Sequence, residues 1–154
     1  MKILFLYIAL FILAIVLPIA IVSNVKKKMR SMADNTKEIT PKEFFAIRNA
    51  TLGGRGQSHI SNRYDFPGVY ILFNKTKNMY YVGQGKSVFQ RVNSHFTGHG
   101  NGDVYADYKN GNEFSIKMIS LENSGCSSLN ELERKYIMTY NSYYRGYNKT
   151  RGNA

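Results

Sequence analysis

Hydrophobic and polar positions change rhythm several times along this chain. Residues 3–22 carry no charged side chain, and Pro18 is their one helix-breaker. About 20 apolar residues at ~1.5 Å rise match the ~30 Å hydrocarbon core of a bilayer. Residues 24–39 are polar without apolar periodicity and read as a linker. A short helix is expected next, with Thr40 as cap, Pro41 in its first turn, Glu43 completing a capping box, and an end near Asn49. Residues 53–58 (Gly-Gly-Arg-Gly-Gln-Ser) have loop composition. Two β-branched and aromatic runs, 68–73 and 79–82, flank the turn-forming Asn-Lys-Thr-Lys-Asn of 74–78 and predict a hairpin. Ser87 is placed to cap a helix carrying Val88, Val92, and Phe96 or His95. Residues 97–112 are rich in Gly and Asn, with room for one helical turn at 104–108. Apolar and polar residues then alternate over 114–121, predicting a third strand. Ser128 and Glu131 suggest a second capping box, opening a helix through Leu132, Tyr136, Ile137 and Tyr140. The expected fold is α+β: a small three-stranded antiparallel sheet flanked by helices, preceded by a single N-terminal transmembrane helix. Three parts are drawn from this pattern: an anchor over 1–25, a basic juxtamembrane linker with a short helix over 26–65, and a compact domain over 66–154.

Charge refines the first part. The apolar run exceeds the usual length of a signal-peptide core and lacks a convincing cleavage site, which favours an uncleaved anchor through residues 3–23. Lys26, Lys27, Lys28 and Arg30 follow it, and the positive-inside bias leans toward a cytoplasmic C-terminal domain. The same cluster suits anionic lipid headgroups. The net charge is +11, and residues 66–154 alone hold 11 Lys/Arg against 6 Asp/Glu. A basic surface favours polyanions, nucleic acid or membrane, although solubility alone accounts for charge equally well. Cys126 is the single cysteine, which excludes an intrachain disulfide and a thiolate zinc cage.

The candidate chemistry lies in the C-terminal half. Gly68-Val69-Tyr70 and Tyr81-Val82-Gly83 occupy the two hairpin strands, so both tyrosines can reach one sheet face. Arg91 and His95 are four residues apart and share one face of the following helix. Glu133 lies on the later helix, and Asn148 ends Gly146-Tyr147-Asn148. This ordered set resembles the GIY-YIG nuclease family over about 66–148, with Val at the centre of both tripeptides in place of Ile. The resemblance implies a metal-dependent endonuclease acting on DNA, with Glu133 as the single protein ligand of one Mg²⁺ or Mn²⁺. It implies that Arg91 holds the scissile phosphate, that Tyr81 positions water or phosphate, and that Tyr70 is the general base. His95 is a rival base, because its ordinary pKa lies nearer neutrality than that of a phenol. Asn148 is grouped with the catalytic residues, although fixing the helix end against the hairpin is its expected part. Lys86 is a candidate DNA-phosphate contact. Members of the family usually carry a separate DNA-targeting domain; residues 40–65 are too short for one, so little sequence preference is expected.

Each residue also has a plainer reading: Glu133 a solvated helix charge, Arg91 a surface arginine, the tyrosines ordinary strand packing. The residues 83–87 (Gly-Gln-Gly-Lys-Ser) look like the tail of a P-loop, but Tyr80 stands where its first Gly is required. His95, His99 and one Cys do not make a zinc site, and His59 and His99 carry no assignment. The alternative from another class is a non-catalytic, membrane-tethered DNA-binding module, which needs the basic surface but not the carboxylate.

Overall fold

The structure, a computed structural model, describes residues 2–50 and 63–152. The loop expected over 53–58, and His59, lie outside the described residues. Helix α1 (Lys2–Asp34) is one unbroken element of 33 residues, with Pro18 inside it. It runs through residues 24–34 of the segment whose polarity suggested a linker, and only residues 35–39 of that segment are non-helical. The missed signal is a sparse stripe: Val25, Met29, Met32 and Ala33 recur at helical spacing and pack on the domain, Met29 and Ala33 fully buried. Few apolar residues suffice where the opposite face meets water. The short helix α2 (Pro41–Asn49) has its full capping box, the Thr40 hydroxyl accepting from the Glu43 amide and the Glu43 carboxylate accepting from the Thr40 amide.

Strands β1 (Gly68–Asn74), β2 (Met79–Gly85) and β3 (Phe114–Ser120) form one antiparallel sheet in the order β2-β1-β3. β1 pairs Tyr70 with Gly83 on one side and with Met118 on the other. One face packs Tyr70, Leu72 and Ile116 against α2 and α3 (Val88–Phe96). The other face packs Val69, Ile71, Val82 and Ile119 against α1 and α5 (Leu129–Tyr140). This two-sided burial explains why β1 reads as a continuous apolar run and not as an alternation. Both sheet edges are closed at one point. Ile39 bridges to Ile116 outside β3, and the Tyr147 amide donates to Tyr80 O outside β2 at 2.9 Å.

The remaining elements are α4 (Gly102–Lys109), longer than the one turn expected, and α6 (Ser142–Arg145) after a left-handed Asn141. α4 gains its length from Asn101, whose side chain accepts from the amides of Asp103 and Val104. Two capping expectations are corrected. Ser87 precedes α3 but makes no side-chain cap bond; the Asp65 carboxylate reaches over instead and accepts from Phe89 and Gln90 at 2.9 and 3.3 Å. A carboxylate satisfies the same orphan amides and also complements the helix dipole. At α5 the Ser128 hydroxyl accepts from the Glu131 amide, but the Glu131 carboxylate turns to Ser127, one residue outside the expected box, and pairs with Lys135.

Candidate active site

The site forms at the rim of edge strand β2, where helices from opposite sheet faces reach past the strand. Tyr70 and Tyr81 are diagonal neighbours on one face, with ring centroids 6.2 Å apart. α3 brings Arg91 to this rim from one side, and α5 brings Glu133 from the other. Tyr70, Tyr81, Gly83, Gln84, Arg91 and Glu133 thus line one cavity of about 280 Å³. Asn101, Asn148, Lys149 and Thr150 complete its wall.

Gly83 has a steric reason to be glycine. The Tyr70 phenol lies directly across it, and any Cβ at 83 would overlap that ring. The close approach is possible only because the cross-strand partner has no side chain.

His95 is buried behind the two tyrosines rather than lining the cavity. Its Nδ1 accepts from the Asn101 amide at 2.9 Å, so that nitrogen carries the lone pair. A neutral ring must then hold its hydrogen on Nε2, which lies 2.9 Å from the Tyr70 hydroxyl. His95 therefore donates and Tyr70 accepts, leaving the phenolic hydrogen free to point away from the ring. Burial, followed by the nearby Arg91 charge, lowers the His95 pKa to about 4 and keeps the ring neutral. Burial raises the Tyr70 phenol above its ordinary value; Tyr81 adds to the rise, and Arg91 works against it. Tyr81 is raised by burial as well, again opposed by Arg91.

Glu133 is nearly buried, and its Oε2 accepts from Gln84 Nε2 at 2.9 Å. Gln84 also donates to Asn130 at 2.7 Å, so the carboxylate is oriented by a side chain that is itself oriented. No group of three His, Cys, Asp or Glu residues is close enough to cage a metal among the described residues. A lone carboxylate on an open cavity wall fits a hard ion that keeps most of its waters, and not a protein-caged zinc.

Asn148 reaches the cavity wall, but its side-chain amide is spent on strand β2. Its Oδ1 accepts from the Val82 amide at 2.9 Å and its Nδ2 donates to Val82 O at 2.7 Å. The side-chain amide replaces a neighbouring strand at this point. Lys86 is exposed and stands outside the cavity wall. Lys149 lines the wall instead, also bridging to Asp103 at 2.6 Å. Gln84, Asn101 and Lys149 were not singled out from sequence. Gln84 was hidden in the rejected phosphate-loop pattern, and a backbone amide such as that of Asn101 leaves no side-chain signature.

A comparison with protein-family models matches the GIY-YIG catalytic domain to residues 66–148, which is 83 of 154 residues. The chain belongs to the GIY-YIG family. Comparison with curated proteins finds no match. Comparison with solved structures finds none either. Family membership implies nuclease-type chemistry on DNA. The match begins one residue after Asp65, although that carboxylate caps α3 and belongs physically to the domain.

Proposed function

We propose that this GIY-YIG protein is a divalent-metal-dependent endonuclease that hydrolyses DNA phosphodiester bonds with little sequence preference, held at a membrane by α1. The observation that carries the proposal is the convergence of Tyr70, Tyr81, Arg91 and Glu133 on one open cavity. Phosphodiester hydrolysis needs a deprotonated water, charge stabilisation on the phosphate, and a proton path. Arg91, exposed at the rim, offers its planar fork to two phosphate oxygens. Glu133 would hold a Mg²⁺ or Mn²⁺ ion, which when bound supplies a Lewis acid and an acidic water.

Tyr70 is the proton acceptor in this reading. His95 is a poor candidate, because its Nδ1 lone pair is taken by Asn101 and its Nε2 carries hydrogen. The same Nε2–H supports a Tyr70 phenolate, as does the Arg91 charge. Burial makes that phenolate costly, so the reaction should favour alkaline pH. Tyr81 sits beside Tyr70 and orients the water or the phosphate. Asn148 holds strand β2 in place and Lys149 extends the cationic wall. These groups suit phosphate, not base edges, which fits low sequence preference.

The membrane part of the proposal rests on α1. It is long and apolar enough to cross a bilayer, and the side chains from Leu10 to Val22 that the structure describes are exposed. Among the described residues nothing covers this apolar surface. The basic residues after Ser23 favour a cytoplasmic domain.

The test is plasmid nicking by the full chain in detergent, with Mg²⁺, with EDTA, and with Glu133→Ala. Nicking that requires both metal and Glu133 supports the enzyme. Salt-sensitive DNA binding without nicking under Mg²⁺ or Mn²⁺ would replace it with the tethered binding module.

A further inference from the structure

A second groove, of about 350 Å³, lies where α1 leaves the domain. Lys26 of α1 forms one wall, and Arg134, Met138, Tyr143, Tyr144 and Arg151 contribute to the rest. It holds three cations and no carboxylate among its lining residues. The Arg151 guanidinium lies 5.4 Å from the ring centroids of both Tyr143 and Tyr144 and bonds the Tyr144 hydroxyl, so the cation is held in position. Tyr144 is nevertheless 68% exposed.

The height of this groove along α1 sets what it faces. Lys26 follows Val22, the last residue of the apolar run, by four positions. That is ~6 Å along the helix axis, within a headgroup layer of roughly 5–8 Å on each side of a bilayer. Tyrosines are favoured at that level, where an apolar ring meets a polar boundary. Arg134 and Arg151 of the groove directly follow, in sequence, Glu133 and Thr150 of the catalytic cavity. A DNA strand continued into it would run against the bilayer surface, which disfavours nucleic acid as the occupant.

We propose that this groove binds the phosphate of an anionic phospholipid headgroup and so fixes the catalytic domain in one orientation against the bilayer. The proposal rests on the membrane reading of α1. The decisive measurement is native mass spectrometry of the full chain in neutral detergent, titrated with phosphatidylglycerol and with phosphatidylcholine. One phosphatidylglycerol should be retained per chain in preference to phosphatidylcholine. Removing each cation should weaken it about fivefold, so Arg151→Ala and the Lys26→Ala/Arg151→Ala pair should lower affinity in two steps. Tyr144→Ala, at an exposed position, should also weaken it, while Lys27→Ala, outside the groove, should leave it within about twofold.

Equal retention of the two lipids overturns the groove, as does a Lys27→Ala loss equal to that of Arg151→Ala, which would mean diffuse attraction. If Arg151→Ala spares lipid binding but weakens DNA cleavage at limiting DNA, the groove is a nucleic-acid subsite. Carbonate extraction of membranes reads the anchor separately. A chain that washes off sinks the membrane reading, and a chain that stays but shows no phosphatidylglycerol preference sinks only the groove.

Discussion

His95 donates its Nε2 hydrogen to the Tyr70 hydroxyl, because the Asn101 amide already occupies Nδ1. This direction separates two residues that sequence left as rivals. Tyr70→Phe removes the proton acceptor and should lower cleavage by about 10²–10⁴-fold. His95→Gln, whose side-chain amide can take the place of the Nε2–H donor, should slow the reaction less and leave its rise with pH little moved. The check is a pH–rate profile of plasmid nicking for both variants. Activity surviving in Tyr70→Phe but not in His95→Gln would make the histidine the base.

The same burial has a consequence for stability. With a folded pKa of about 4 against an ordinary 6.5, His95 stays neutral in the fold while the unfolded chain takes up a proton first. Its contribution is whole above pH 6.5 and is lost as pH falls from there toward 4, to a limit of about 3 kcal/mol. Thermal unfolding in detergent at pH 7 and at pH 4.5 should therefore diverge for the native chain. The divergence should be smaller for His95→Gln, which has no proton to gain. Equal acid sensitivity in the two would assign the loss to other groups.

Gly83 offers a steric test of the site. A methyl group there would displace the Tyr70 ring from its place across the strand, so Gly83→Ala should approach Tyr70→Phe in lost cleavage. It should also cost about 1–3 kcal/mol of stability. Gly102 is the control, since a Cβ there meets nothing within 4 Å and the residue begins α4. Gly102→Ala should leave nicking unchanged and raise stability by up to ~1 kcal/mol. Comparable losses in the two variants would refute the steric account.

The fold was legible where one physical signal dominated. Strand β1 and the Thr40–Glu43 box follow from β-branched runs and a local capping pattern, and both appear as expected. The α3 cap was not legible, because Asp65 is 24 residues from Phe89 in sequence and meets it only after the sheet forms. The last third of α1 was not legible as helix, because four apolar residues among three lysines and Arg30 make a weak periodicity until a partner surface is known. In the site, spacing pointed to Tyr70, Arg91 and Glu133, but it could not give hydrogen-bond direction. The neutral tautomer of His95 depends on a backbone amide, and the hold on Glu133 depends on Gln84 across the rim.

Asn148 provides the last test, because its amide copies the paired donor and acceptor of a strand residue. It serves both backbone groups of Val82, in the middle of edge strand β2, between Tyr81 and Gly83. Asn148→Ala leaves both groups without that partner and should cost about 1–3 kcal/mol. Cleavage should fall through misplacement of Tyr81, so the loss should be smaller than in Glu133→Ala and should shrink on cooling as the strand re-forms. Asn148→Asp keeps the acceptor, loses the donor, and sets a carboxylate against Val82 O. It should be at least as destabilising as Asn148→Ala and, by adding negative charge beside Glu133, should weaken DNA binding further. Paired melting and nicking curves decide the matter. If Asn148→Ala abolished nicking without lowering the melting temperature, the amide would be acting on the substrate and not through the strand.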